Sequence, residues 1–218
     1  MRKLIWLLFL PALYGADPQP CDTPEKCWTL LEQGNVHWKA GSLTHPNQTV
    51  ARRRAVSEHQ APFAVVLTCS DSRVPPEVVF DRGVGDLFVV RVAGNVLDDH
   101  AVGSIQYAVE VREYTKLIVV LGHQRCGAVE AAVHPPPKPL PKPLATLIKA
   151  LRPAVRASRN WPGDKVENAV DANVHLVGEQ LAIKFPKAVV KTKRYWLGEP
   201  EPPDPNGGMV TEAKWIKP

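Results

Sequence analysis

Two short segments concentrate the reactive side chains of this chain: TCSDSR at 68–73 and GHQRC at 122–126. Between them they offer two thiols and one imidazole, from Cys69, His123 and Cys126. Two thiolates and a neutral imidazole are the Cys₂His donor set of a catalytic zinc, which leaves one coordination position open. A water in that position loses its proton near pH ~7, against ~9 for aqueous zinc. His123 and Cys126 are three residues apart, a spacing that lets both reach one ion. Asp71 follows Cys69 by two residues, and Arg73 follows Asp71 by two. On a tight turn the carboxylate can pair with the guanidinium and still face the metal. A paired aspartate stays ionised and accepts a hydrogen bond from the metal-bound water, which aims a lone pair at the substrate. The competing readings are a surface Asp–Arg pair and a Cys69–Cys126 disulfide in which His123 has no part. Ser70 and Ser72 read as turn formers or as donors to the thiolates.

Regular elements must hold these residues. Each segment follows a continuous apolar, β-branched run: 63–68 (FAVVLT) before Cys69 and 116–121 (KLIVVL) before Gly122. A third run, 86–92 (DLFVVRV), ends at Ala93-Gly94-Asn95. Helical spacing follows at 101–113 and again at 126–133 (CGAVEAAV). Continuous apolar strands alternating with helices predict a parallel sheet covered on both faces. In such sheets ligands bind beyond the carboxyl ends of the strands, where Cys69 and His123 both fall. Cys126 is then placed in the first turn of a helix, whose partial positive charge favours a thiolate.

Upstream, 24–42 predicts a helix with an apolar stripe at Trp28, Leu31, Val36 and Trp38, interrupted at Gly34 and Gly41. Residues 49–59 predict a second, basic helix capped by Thr49 or Asn47. Downstream, HPPPKPLPKPL at 134–144 predicts an extended surface linker, because proline fixes φ and removes an amide donor. Helices are expected at 144–158, bent at Pro153, and from Asp164 to about Phe185. Two strand-like pieces, 188–196 and 209–215, flank the loop EPEPPDPNGG. The fold class is therefore α/β: a mostly parallel central sheet flanked by helices, with a C-terminal antiparallel edge hairpin. No internal repeat, GxGxxG or P-loop is present.

At 218 residues the chain fits one domain with a real core. We expect a secretory signal peptide over 1–16, a linker over 17–24 and a single domain over 25–218. Arg2 and Lys3 precede the apolar run LIWLLFLPALY at 4–14, which has the length of a secretory signal rather than of a membrane span. Cleavage after Gly15 or Ala16 suits the small residue there, although Leu13 or Tyr14 three positions before the cut is not small. The alternative is an uncleaved anchor or a buried helix. Export to the periplasm or medium leaves no stable membrane anchor once the signal is removed, and it places the cysteines in an oxidising compartment. Cys21 and Cys27 then read as a local disulfide, with reduced thiols or pairing to another chain as alternatives. Metal ligation would protect Cys69 and Cys126 from oxidation there. The net charge of +5 is modest, and the basic clusters at 52–54 and 187–194 carry no aromatic-basic motif of a nucleic-acid-binding module. Nucleic acid is not an expected partner.

CSDSRVPPE, DLFVVRVAGN and VVLGHQRCGAVEAA resemble the motifs of the β-class carbonic anhydrases, over roughly residues 28–196. The resemblance implies one zinc ion per chain on Cys69, His123 and Cys126, with Asp71 and Arg73 orienting the nucleophile. The implied reaction is reversible hydration of carbon dioxide to bicarbonate and a proton, by attack of zinc-bound hydroxide. Gln60, in QAPF, matches a glutamine that in plant-type members reaches the substrate across the dimer interface. Phe88 and Tyr107 match positions that line the apolar CO₂ pocket of that subgroup. Gly94 and Gly127 fall in matching glycine motifs, where close backbone packing is an equal reading. A homodimer or higher homo-oligomer is implied, with Trp28, Trp38 and the tail strands either in its interface or covering their own domain. His59 and His100 are the candidate proton shuttles.

The chain also departs from the pattern. Val92 stands where the family usually has asparagine, so a polar contact behind the pocket is absent. One subgroup closes its site by moving the aspartate onto zinc, with bicarbonate held by Trp, Arg and Tyr. Here Arg91 is present but Val66 stands at the Trp position, so an open site with the Asp71–Arg73 pair intact is expected. Two other functions fit the same residues: hydrolysis of carbonyl sulfide or carbon disulfide, and noncatalytic binding of zinc or bicarbonate.

Overall fold

The computed structural model of the chain describes residues 21–198 and 206–216. The expected signal peptide, half of the linker after it and much of the EPEPPDPNGG loop lie outside the described residues.

Five strands form one sheet: β1 (Ala64–Thr68), β2 (Leu87–Arg91), β3 (Leu117–His123), β4 (Val189–Tyr195) and β5 (Val210–Glu212). Their order is β2-β1-β3-β4-β5, with every pair parallel except β4–β5, which is antiparallel. All residues of β1 and β3 are buried, which is why they read as unbroken apolar runs. Successive side chains still alternate between faces. Ala64, Val66, Leu117 and Val119 pack with Trp28, Leu31 and Phe80 on one face. Val65, Leu67, Ile118 and Val120 pack with Ile105, Val174 and Leu181 on the other. Register places Thr68 opposite both Arg91 and Leu121, and His123 opposite Tyr195, so the carboxyl ends of four strands meet at one edge.

Helix α1 (Pro24–Lys39) starts at Thr23, whose side chain caps the Lys26 amide. It runs unbroken through Gly34, contrary to the interruption expected there. A Cβ on Gly34 would lie 1.8 Å from the Phe80 carbonyl oxygen, so the glycine serves close approach rather than a break. The expected stripe is also shifted. Val36 is 63% exposed, while Asn35 is buried and bonds Val79 O, Gly208 O and the Val210 amide. Trp28 and Trp38 cover their own core, and Trp38 donates to the Tyr195 hydroxyl.

Helix α2 (Val50–Ala55) is capped by Thr49 and ends well before His59. A short helix α3 (Pro76–Val79) follows the first ligand segment. The single helix expected over 101–113 is α4 (Asp99–Gln106) followed by a π-helical turn at Tyr107–Val111. Helix α5 (Gly127–Val133) has Cys126 at its N-cap rather than inside its first turn. Helix α6 (Lys142–Ser158) begins inside the proline-rich segment, because Pro143 in the first turn needs no amide donor, and it continues through Pro153. Helix α7 (Lys165–Lys184) is capped by Asp164 and buried along most of its length. No described helix is long and apolar enough to cross a membrane.

Candidate active site

Cys69 immediately follows β1, His123 is the last residue of β3, and Cys126 caps α5. Their ligand atoms lie within 4.8 Å of one another, and all three residues are buried. Cys69 and Cys126 are free thiols with sulfurs 4.0 Å apart, so they are not joined to each other. Two sulfurs each ~2.3 Å from a tetrahedral ion lie ~3.8 Å apart, and the observed separation fits that arrangement. His123 Nδ1 donates to the Gln124 carbonyl at 2.9 Å, which in the neutral imidazole makes Nε2 the free acceptor. That buried Nε2 has no hydrogen-bond partner. An orphaned ring nitrogen facing two thiols is a fit for a soft divalent cation.

Charge at the site points the same way. The Cys126 thiol, aided by His123 and the Gly94 amide, holds Cys69 well below the usual thiol range, at about 4, against the opposing effect of burial. The Cys69 thiolate and burial push Cys126 up. A dipositive ion removes this conflict by stabilising both thiolates.

Asp71 accepts from Arg73 Nε at 2.9 Å and Nη2 at 2.7 Å, and from the Arg73 amide at 2.9 Å. The Arg73 side chain holds its carboxyl at about 2, below the usual carboxylate range. Asp71 Oδ2 lies 3.8 Å from His123 Nε2. The fold thus brings the three buried residues singled out in the sequence next to a partly buried Asp71, whose partner Arg73 is exposed. Around the thiols, Val92, Val96 and Val129 belong to an apolar cluster, so Val92 contributes packing where a polar contact was expected to be missing.

Other assigned residues lie outside this cluster within the single chain. Phe88 and Tyr107 face each other with ring centroids 6.4 Å apart, but Phe88 is in register with Val65. Val65 precedes Cys69 by four residues, or about 13 Å along a strand. Gln60 is exposed in the loop before β1, as are His59 and His100 on their own segments. Gly94 has φ 67°, which favours glycine, and a Cβ there would sit tightly at 3.1 Å from Leu151 Cδ1. Gly127 differs: a Cβ there meets nothing within 4 Å, so close packing does not explain it.

Arg91 has a role that sequence reasoning missed. Standing opposite Thr68, it donates to the Cys69 carbonyl at 3.0 Å and to the Asp71 carbonyl at 2.5 Å. It clamps the turn that carries the first ligand and the dyad. No side-chain pattern signals this role, because both acceptors are backbone carbonyls of the turn.

A mostly parallel α/β sheet with a Cys₂His cluster at and just beyond the ends of β1 and β3 has the layout of a candidate metal site. Comparison with known proteins narrows that reading. A family model described as carbonic anhydrase matches residues 64–193, more than half of the chain, and the chain belongs to that family. A carbonic anhydrase of Mycolicibacterium smegmatis is 49% identical over 114 residues, covering 52% of this chain and 55% of the relative. Carbonic anhydrase 2 of Mycobacterium tuberculosis matches to the same extent. The chain thus spans about half the length of the curated relatives it matches. Among solved structures, a Coccomyxa β-carbonic anhydrase in complex with acetazolamide shares the fold, with TM-score 0.61, 24% identity and 83% of each chain covered. One of two tetrameric β-carbonic anhydrases from Sordaria macrospora also has TM-score 0.61, at 20% identity, covering 86% of this chain and 96% of that one.

Proposed function

We propose that this chain catalyses the reversible hydration of carbon dioxide to bicarbonate and a proton, with one zinc ion held by Cys69, His123 and Cys126. One observation carries the reading: in a chain of the carbonic anhydrase family, these three donors converge beside a carboxylate kept ionised by Arg73. Zinc bound there would supply a Lewis acid that brings the pKa of a water to ~7. Asp71 is acceptor-only at that pH. It takes a hydrogen bond from the attacking water and fixes its orientation, while Arg73 and Arg91 fix Asp71 and its turn. Because both Asp71 oxygens face Arg73, the site is read as open, with a coordination position left for water. The apolar walls suit an uncharged linear substrate that needs little hydrogen-bond recognition.

Two further parts of the reading rest on other features. Export to the periplasm or medium is supported by the apolar N-terminal run behind Arg2 and Lys3 and by the Cys21–Cys27 disulfide. A homodimer or higher homo-oligomer is supported by β2, a partly exposed strand at the sheet edge, by the exposed Tyr107 and Val111 near it, and by the tetrameric Sordaria neighbour. Stopped-flow CO₂ hydration on protein of known zinc content tests the central claim. Turnover proportional to zinc is expected. Stoichiometric zinc without turnover between about pH 7 and 9 would overturn it, and activity on carbonyl sulfide alone would replace the substrate.

A further inference from the structure

The turn that brings His123 and Cys126 to one point is left-handed at Arg125, with φ 53°. A residue with a Cβ keeps that conformation only where its neighbours hold it there. Arg125 is held at both peptide groups. Its amide donates to Glu167 Oε1 at 2.8 Å, and its carbonyl accepts from Arg73 Nη2 at 3.3 Å. The same Nη2 donates to Asp71 Oδ2. A continuous path of hydrogen bonds therefore runs from α7, through the ligand loop, to the carboxylate beside the metal site.

From sequence, Glu167 has a lesser task. Asp164-x-x-Glu167 reads as a capping box, in which the glutamate reaches back to the N-cap amide. Asp164 does accept from the Glu167 amide at 2.9 Å. The Glu167 carboxylate, however, bonds the Arg125 amide with one oxygen and Arg194 with the other. Arg194 does not require it for neutrality, because Asp171 already pairs with the same guanidinium at 3.0 Å. One buried cation thus faces two carboxylates whose like charges oppose each other. What distinguishes Glu167 from Asp171 is its bond to Arg125. Arg194 stands opposite Gly122, one residue before His123, so the ion pair also fixes the Glu167 carboxylate relative to the strand that carries the ligand.

We infer that Glu167 is a positioning residue for the metal centre: its carboxylate holds Arg125 in the left-handed turn, and thereby sets how His123, Cys126 and the Asp71–Arg73 dyad face one another. The inference rests on the Cys₂His metal-centre reading. Partners one shell beyond the ligands are worth about 10- to 100-fold in metal affinity. Glu167→Ala is expected to release zinc to a chromogenic chelator faster by about that factor, and to shift the visible bands of the cobalt(II)-substituted protein. Glu167→Gln keeps a carbonyl oxygen for the Arg125 amide and restores most of the retention. Asp171→Asn removes a charge at the same arginine without touching Arg125, and keeps wild-type release and bands. Arg125→Gly placed in Glu167→Ala recovers slow release, because glycine takes the left-handed conformation unaided.

Wild-type release and bands in Glu167→Ala overturn the inference, as does an equal loss in Asp171→Asn. If Glu167→Ala does not fold, the double variant decides: slow release supports the positioning role, and a second failure to fold makes Glu167 a stability residue only. A wild-type chain that takes up no metal overturns the metal-centre reading itself, an outcome distinct from all of these.

Discussion

Two pairs of cysteines in this chain have opposite fates. Cys21 and Cys27, six residues apart at the start of α1, form a disulfide across a Cα–Cα distance of 5.1 Å. Cys69 and Cys126, 57 residues apart, bring their sulfurs to 4.0 Å and remain thiols. Burial alone does not separate them, since Cys27 of the first pair, at 6% exposed, is as buried as Cys69 at 5%, although Cys21 is only partly buried. Their surroundings do. Among the described residues, Cys69, His123 and Cys126 are the group of three donors close enough to hold one ion. The Gly94 amide donates to Cys69 at 3.2 Å, which favours a thiolate there. A short loop closes the first pair within disulfide range. A strand end and a helix start hold the second pair at a spacing that suits two ligands of one ion. The same residue type is thus a covalent staple in one place and, on the proposed reading, a metal donor in the other, and backbone geometry separates the two.

The largest effect should come from removing a donor of the second pair. Three ligands share a binding free energy of ~10–16 kcal/mol, so each loss lowers zinc affinity by roughly 10²–10⁴-fold. Cys126→Ala is expected to purify with little zinc and to lose CO₂ hydration in proportion. Full zinc occupancy in that variant would break the contrast between the pairs. Next in size is Asp71→Asn, which should lower turnover about 10²-fold or more while zinc stays bound. Asp71 is held at about 2, below its unfolded value of ~3.9. Its contribution to stability is therefore present above pH ~4 and lost as pH falls toward ~2. Between about pH 5 and 9 it stays ionised, so an activity inflection there belongs to another group. Arg73→Ala should let the Asp71 carboxyl rise toward its ordinary value, read by carbon-13 NMR of the side chain. No movement would mean that Arg73 is not what holds it.

The sequence made much of this site legible because buried parallel strands leave a continuous apolar signature. FAVVLT and KLIVVL therefore pointed directly at Cys69 and His123. What escaped depends on contacts between distant elements. Val36 looked like core and Asn35 did not, yet Asn35 is buried because β5 and the Phe80 turn need its amide. Hydropathy cannot register such a demand. Lys142-Pro143 looked like linker, but proline starts a helix as readily as it prevents one. Phe88 and Tyr107 were assigned to a pocket by resemblance; within the chain they pair with each other, with Phe88 in register with Val65. Arg91 and Glu167 were illegible for a shared reason: each reaches the ligand turns through a backbone group, whose position no side-chain pattern encodes.

The smallest effect belongs to the first pair, and it is confined to stability. Cys21 and Cys27 border a cleft with Phe63 and Lys116, at the amino ends of β1 and β3. Cys69 and His123 lie at the carboxyl ends, so the length of β1, about 17 Å for five residues, separates the two regions. Closing so short a loop stabilises the fold by about 2 kcal/mol in the chain-entropy account. Cys21→Ser isolates that term, because it removes the bond while leaving the buried Cys27 in its packing. For a chain of this size the loss corresponds to a melting temperature lower by roughly 4–8 °C. Zinc content and kcat/KM should be unchanged, since no donor or dyad residue moves. A fall in zinc content alongside the melting temperature would show that the staple at one end of β1 tunes the donors at the other, and the two pairs could no longer be treated as independent.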